Sequence, residues 1–335
     1  MNKKILNILK FLAFFGLSLL IFWYVFKNQE IDSLKAEISK TNFAWIWLSL
    51  FLGILSHISR AMRWNILIEP LGYKPKLLNT FSAVMVMYLA NYALPRLGEV
   101  SRVGVMKKYE KIPFSELFGT VVMERAVDML LLLICLLIVM VTQTTVLLQF
   151  IENNPNSLSK IMMLIDNKWT IIAIGLLFLA MVFAFVKLQH KIAHIKLYIK
   201  IKEFVLKFWS GLKTISQLKR KWEFIFHSIF IYFIYFLMLY IAFFAFDFTS
   251  HLTPLTGLTV FVMAGLGMVV PVQGGIGAWH WLVTRTLFIF GVAIEPSGNA
   301  FALVVHTSSS LMLITIGFLA LIFLPIYNKE KNVMV

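Results

Sequence analysis

Apolar runs long enough to cross a bilayer recur almost from end to end of this chain, at residues 5–26, 43–67, 114–141, 168–187, 223–246 and 297–324. A spanning helix needs about 20 consecutive apolar residues. Within hydrocarbon each backbone N–H and C=O must find its partner inside the protein, so runs of this length read as helices. Composition agrees: 60% of residues are hydrophobic and 14% charged, with a mean hydropathy of +0.83. These values exclude an ordinary soluble domain. The spans occupy so much of the 335 residues that no kinase, GTPase or Rossmann domain fits, and no Gly-x-x-x-x-Gly-Lys-Ser/Thr run is present. The expected fold is all-α, a polytopic helical membrane protein in which residues 1–335 form a single integral membrane domain.

Charge placement sets the expected topology. The formal net charge is +15, and Lys and Arg concentrate in the N-terminal tail, around 60–76, in 96–111 and in 187–221. The positive-inside rule places all of these in the cytoplasm, and contact with anionic lipid accounts for them better than nucleic acid does. The apolar run at 5–26, after Met1-Asn-Lys-Lys, is too long for a signal-peptide core and reads as an uncleaved first helix. The single cysteine, Cys135, permits no intrachain disulfide.

Two shorter apolar stretches, 78–94 and the pair 254–270 with 278–292, do not fit as full spans. Each adjoins a break: Pro95-Arg96-Leu97-Gly98-Glu99 in one case and Pro271-Val272-Gln273-Gly274-Gly275-Ile276-Gly277 in the other. Were 78–94 to cross, the basic stretches after it would fall outside. Treating 78–108 and 254–292 as re-entrant helical elements of opposite orientation keeps every basic cluster inside, giving about six full spans and both termini cytoplasmic. Opposed broken elements are how inverted-repeat transporters build a site near the midplane. Residues 188–221 carry apolar positions at helical spacing among many lysines, which reads as a basic amphipathic segment on the cytoplasmic surface that meets anionic lipids.

Several residues are candidates for chemistry. Arg96, Glu99 and Arg102 recur every third position; on one helical face, with Pro95 in its first turn, two guanidiniums could grip a phosphodiester with Glu99 between them. The same charges could instead belong to a solvated loop. Glu124, Arg125 and Asp128 sit well inside an apolar run, where each charge costs at least about 2.5 kcal/mol. They suit either a neutralising lock onto the re-entrant element, through Arg96 or Arg102, or a headgroup or proton pathway. Arg60 and Arg63, beside Trp64, are snorkelling anchors or a first phosphate contact. Gln273, Gly274, Gly275 and Gly277 precede an apolar helix whose free N–H groups could receive an anion, although glycine also permits close helix packing. His280 and His306 are candidate proton carriers or buried hydrogen-bonding residues. No catalytic triad, metal cluster or cofactor motif is apparent.

Taken in order, Arg60-x-x-Arg63-Trp64, Pro95-Arg96-x-Gly98-Glu99-x-x-Arg102, Glu124-Arg125-x-x-Asp128 and Pro271-x-x-Gly274-Gly275-x-Gly277 resemble the transmembrane region of lysylphosphatidylglycerol synthases, the flippase-like membrane part of the multiple peptide resistance factor. The resemblance covers nearly the whole chain. It implies a helical fold with re-entrant elements, a bacterial cytoplasmic membrane location and movement of lipids between leaflets. The aminoacyl-transferring domain is not in this sequence, so lysyl transfer does not carry over. Many relatives have a glutamate where this chain has His280.

The leading expectation is therefore a translocase for a phospholipid or polyprenyl-phosphate headgroup. A membrane-embedded lipid-modifying transferase, with Glu99, Glu124 and Asp128 as its available carboxylates, is one alternative. A non-catalytic partner of a separate lipid or glycan synthase, such as a glycosyltransferase, is another.

Overall fold

The computed structural model describes residues 3–144 and 218–329. The chain divides into two units, residues 1–139 with 216–335 and residues 140–215. The helices named below belong to the first, but for the C-terminal end of the sixth. The expected span at 168–187 and nearly all of the basic segment 188–221 lie outside the described residues.

Among the described residues every regular element is helical. In chain order they are α1 (Lys3–Phe26), α2 (Ile31–Ser39), α3 (Phe43–Ile68), α4 (Leu77–Ala93), α5 (Leu97–Glu110) and α6 (Phe114–Thr142). Then follow α7 (Lys221–Phe243), α8 (Asp247–Ser250), α9 (Pro254–Val269), α10 (Ala278–Ile289) and α11 (Asn299–Tyr327). Four helices are long and apolar enough to cross a membrane: α3 with its 3-10 turn to Leu71, α6, α7, and α11 with the turn leading into it from Ile294. They coincide with four of the runs read from the sequence. The run at 5–26 forms α1.

Length separates the remaining apolar helices. At 1.5 Å per residue the 26 residues of α3 reach about 39 Å, whereas the 17 of α4 and the 16 of α9 reach only about 24–26 Å. Both short helices fall short of a hydrocarbon layer of about 30 Å. Instead each is followed by a break and a returning helix.

The first break is local chemistry. Pro95 has no N–H to continue α4, and Leu94 before it is extended (φ −149°, ψ 128°), as the residue preceding a proline prefers. Arg96 then takes a left-handed conformation (φ 66°) and α5 begins at Leu97. Asn91 closes the turn by accepting the Gly98 N–H at 2.9 Å. At the far end Asn79 donates to Glu110 at 2.6 Å, so α4 and α5 form an antiparallel hairpin. A side chain at Gly98 would run into the Met87 carbonyl and Asn91. Gly98→Ala is therefore expected to cost about 1–3 kcal/mol, read as a lower thermal midpoint in detergent; an unchanged midpoint would show that the hairpin tolerates the extra carbon.

The second hairpin is α9 and α10, joined by a turn in which Gly274, Gly275 and Gly277 all have positive φ (56°, 78° and 85°). L side chains rarely adopt this conformation. Lipid tails are as apolar as leucine, so these helices are held by close packing rather than by escape from water. Phe243 of α7 lies 5.5 Å from Phe301 of α11, ring centre to ring centre. Phe246 completes the group at 5.4 Å from Phe301, with Val260 of α9 and Val283 of α10 in the same core. Ser49 of α3 adds a hydrogen bond to the Met238 carbonyl of α7, 2.9 Å.

The two breaks meet. Tyr92, in the last turn of α4, packs directly on Gly274 and donates its hydroxyl to Ser310 of α11 at 2.8 Å. His306, one turn earlier on α11, reaches the Gly274 carbonyl at 2.9 Å.

Candidate functional site

Charges from α3, α5 and α6 gather into one buried cluster. Glu124 is wholly inaccessible, accepts from Arg60 at 2.5 Å and Arg102 at 2.9 Å, and lies 3.1 Å from Arg63 as an ion pair. Asp128, four residues on and so on the same face, takes Arg60 at 2.9 Å and Arg63 at 2.7 Å. Arg125 points to the side, pairing with Glu99 at 2.8 Å and lying 3.9 Å from Asp128. Four guanidiniums thus face three carboxylates, which leaves one surplus positive charge.

Neutral groups hold the arginines in place. Arg102 stacks over Trp64, 4.3 Å from its ring centre, and the Trp64 indole is fixed by donating to Thr120 at 2.8 Å. Arg63 donates to Ser228 of α7 at 3.3 Å, and Tyr232 donates to the Asp128 backbone carbonyl. Arg60 reaches the Tyr235 hydroxyl at 3.4 Å, which lies 3.2 Å from that of Tyr88. The satisfaction is incomplete. Among the described residues Arg102 has neither its Nε nor its Nη1 partnered, and the Nε atoms of Arg60, Arg63 and Arg125 also lack acceptors. A buried donor without a partner costs about 1–3 kcal/mol, more when charged, so such groups call for an acceptor. The side chain of Arg125 is 40% accessible and that of Glu99 23%, against 0% for Arg102; the Arg125–Glu99 pair is where the cluster reaches the surface.

The glycine turn makes a second polar site. Ser18 of α1 donates to Gln273 Oε1 at 2.7 Å and accepts the Gln273 backbone N–H at 3.2 Å, while Gln273 Nε2 is buried without a partner. His280 accepts the Gly277 N–H at 3.3 Å, capping α10. Its ring lies 4.6 Å from that of His306. Among the described residues no group of three or more His, Cys, Asp or Glu could hold a metal ion.

A family model described as the lysylphosphatidylglycerol synthase TM region matches residues 8–317. The chain belongs to this family. A curated relative, the UPF0104 membrane protein MJ1595 of Methanocaldococcus jannaschii, is 32% identical over 101 residues, 29% of this chain and 30% of that protein. The match thus spans under a third of the relative's length. No solved structure matches. Family membership and the apolar helices together make this a multi-pass membrane protein.

The structure groups the candidate residues differently from what their spacing along the chain suggests. Arg96 precedes α5 rather than sharing its face, is exposed, and forms no ion pair among the described residues. Glu99 does not bridge Arg96 and Arg102; it pairs with Arg125, while Arg102 goes to Glu124. The lock between α6 and the first hairpin exists through Arg102 and not Arg96. Arg60 and Arg63 are neither at a lipid interface nor free; they are 3% and 0% accessible and engage the acidic pair. At the glycine turn the backbone donors of Gly275, Ile276 and Gly277 are taken up internally, so the open N–H groups expected at Gly274, Gly275 and Gly277 are fewer. Sequence reasoning passes over Tyr88, Tyr92, Ser228, Tyr235 and Ser310. The available signal is charge balance: two buried carboxylates on one span and two arginines on another have to find one another.

Proposed function

We propose that this protein moves a phosphate-bearing lipid headgroup, of a phospholipid or a polyprenyl phosphate, between the leaflets of a bacterial cytoplasmic membrane. In this reading both termini are cytoplasmic, and hairpins α4–α5 and α9–α10 enter the membrane from opposite faces. The supporting observation is Arg102: a guanidinium fully buried, held by one nitrogen, with its other two lacking acceptors, in a cluster carrying a surplus positive charge. Phosphate oxygens supply the missing acceptors in the geometry a guanidinium prefers. Access would open at the Arg125–Glu99 pair, the headgroup phosphate taking the place of Glu99 while the acyl tails stay in lipid. A separate lipid or glycan synthase would supply or consume the lipid, and anionic lipids would sit on the basic segment 188–221.

Vesicles carrying phosphatidylglycerol labelled at its tail, reconstituted with purified protein, test this directly. The expected result is protein-dependent loss of the inner-leaflet fluorescence that otherwise resists an external quencher, with the lipid mass unchanged. Arg96→Ala, a change at an exposed charge, is expected to leave the rate within about twofold. A product of altered mass would favour a transferase, and neither exchange nor product a non-transporting partner.

A further inference from the structure

The hydrogen bonds around the glycine turn treat its two histidines differently. The Gly277 N–H donates to His280 Nδ1, so that nitrogen is the acceptor and the ring proton resides on Nε2. A second proton on His280 would set two donors face to face and uncap α10. His306 is arranged the opposite way. Its Nε2 faces the Gly274 carbonyl, which can only accept, at 2.9 Å; Nε2 therefore carries the proton and Nδ1 is the acceptor. Among the described residues Nδ1 faces only the Ser310 hydroxyl, at 3.4 Å. That hydroxyl oxygen has lone pairs enough to take the Tyr92 O–H and a second donor as well. A proton added at His306 Nδ1 reverses the long contact with Ser310, the ring then donating to the serine oxygen while the serine O–H turns away, and it converts the bond to Gly274 into a shorter, charge-assisted one.

We propose that His306 is a proton-binding site, and that the proton it takes is a co-substrate which tightens the glycine turn against α11 and so couples proton movement to lipid movement. The coupling half rests on the lipid-translocation reading above; the proton-binding half stands on this geometry alone. The titratable groups facing His306 are His280 from α10 and Tyr92 from α4, and no ion pair reaches it among the described residues. The ring separation of 4.6 Å from His280 allows one charge in the pair at a time. Tyr92 lies one turn beyond Tyr88 on α4. Tyr88 meets Tyr235 and through it Arg60, so polar side chains run from the glycine turn toward the charge cluster.

Two measurements test the proposal. Histidine-selective nitrogen NMR on the full chain in lipid nanodiscs, assigned with His280→Gln and His306→Gln, follows both rings between about pH 4 and pH 8.5. His306 is expected to gain a second ring proton while His280 stays in its Nε2–H form. Titration of His280 instead, or a neutral His306 throughout, overturns the proton site. In vesicles with labelled phosphatidylglycerol, an imposed pH gradient is expected to change exchange about tenfold. His306→Gln keeps a donor for Gly274 but takes no proton, and is expected to lose that response. Wild-type exchange indifferent to the gradient, or a His306→Gln variant that still responds, overturns the coupling and leaves lipid movement standing. Absence of wild-type exchange sinks the lipid reading and the coupling with it, and the NMR result then judges the proton site alone.

Discussion

Glu124→Gln is expected to destabilise the protein by about 3–5 kcal/mol, the range for removing one partner of a buried charge network. The carboxylate has no accessible surface and pairs with three arginines. Its loss raises the surplus in the cluster from one positive charge to two and turns an amide N–H toward guanidinium donors. Thermal unfolding in detergent reads the effect. Asp128→Asn should cost less, because the Asp128 side chain is 11% accessible and Arg63 and Arg60 retain Glu124. Adding Arg102→Met to Glu124→Gln removes one of the stranded charges and should recover part of the loss, about 1–2 kcal/mol of coupling between sites in contact. A Glu124→Gln midpoint equal to wild type would mean that the arginines find another counter-charge, and the cluster would lose its role as the joint between α3, α5 and α6.

The legible parts of this fold are those governed by local or bulk physics. A bilayer imposes a length on apolar runs, so α3, α6, α7 and α11 stand out from the sequence. Proline and glycine act on their own backbone, so both breaks are visible as well. The burial of Arg60 and Arg63 is not, because an arginine pair beside a tryptophan looks the same at an interface as in a core. What buries them is the packing of α7 against α3: Phe224, Ser228 and Tyr232 recur every four residues along α7 and face the arginines and Asp128. Within α7 they read as ordinary members of an apolar span. Register between helices distant in sequence is set by side-chain fit, and no local pattern encodes it. The same holds for His306, whose role depends on Gly274, 32 residues earlier. Glu99 and Arg102 illustrate the limit from the other side. Their spacing does place them on α5, yet their partners, Arg125 and Glu124, come from α6.

Arg102→Lys is expected to slow exchange of labelled phosphatidylglycerol roughly 30-fold, the rate equivalent of about 2 kcal/mol, while leaving stability nearly intact. Lysine keeps the positive charge opposite Glu124, so the electrostatic balance that folding requires survives. What it lacks is the planar fork that stacks on Trp64 and offers two further nitrogens to a phosphate, because an ammonium is a compact point charge. Measuring both quantities on the same sample separates the roles. If Arg102 served only to join α5 to α6, exchange would track the thermal midpoint, and the lysine variant would transport as well as it folds. If it receives the headgroup, exchange falls while the midpoint holds. An exposed charge such as Arg96 gives the reference for a substitution that changes net charge outside the cluster. Arg102→Lys exchanging at the wild-type rate would remove Arg102 from the lipid path, and the unpartnered nitrogens that motivate the proposed function would then mark only an imperfectly satisfied joint.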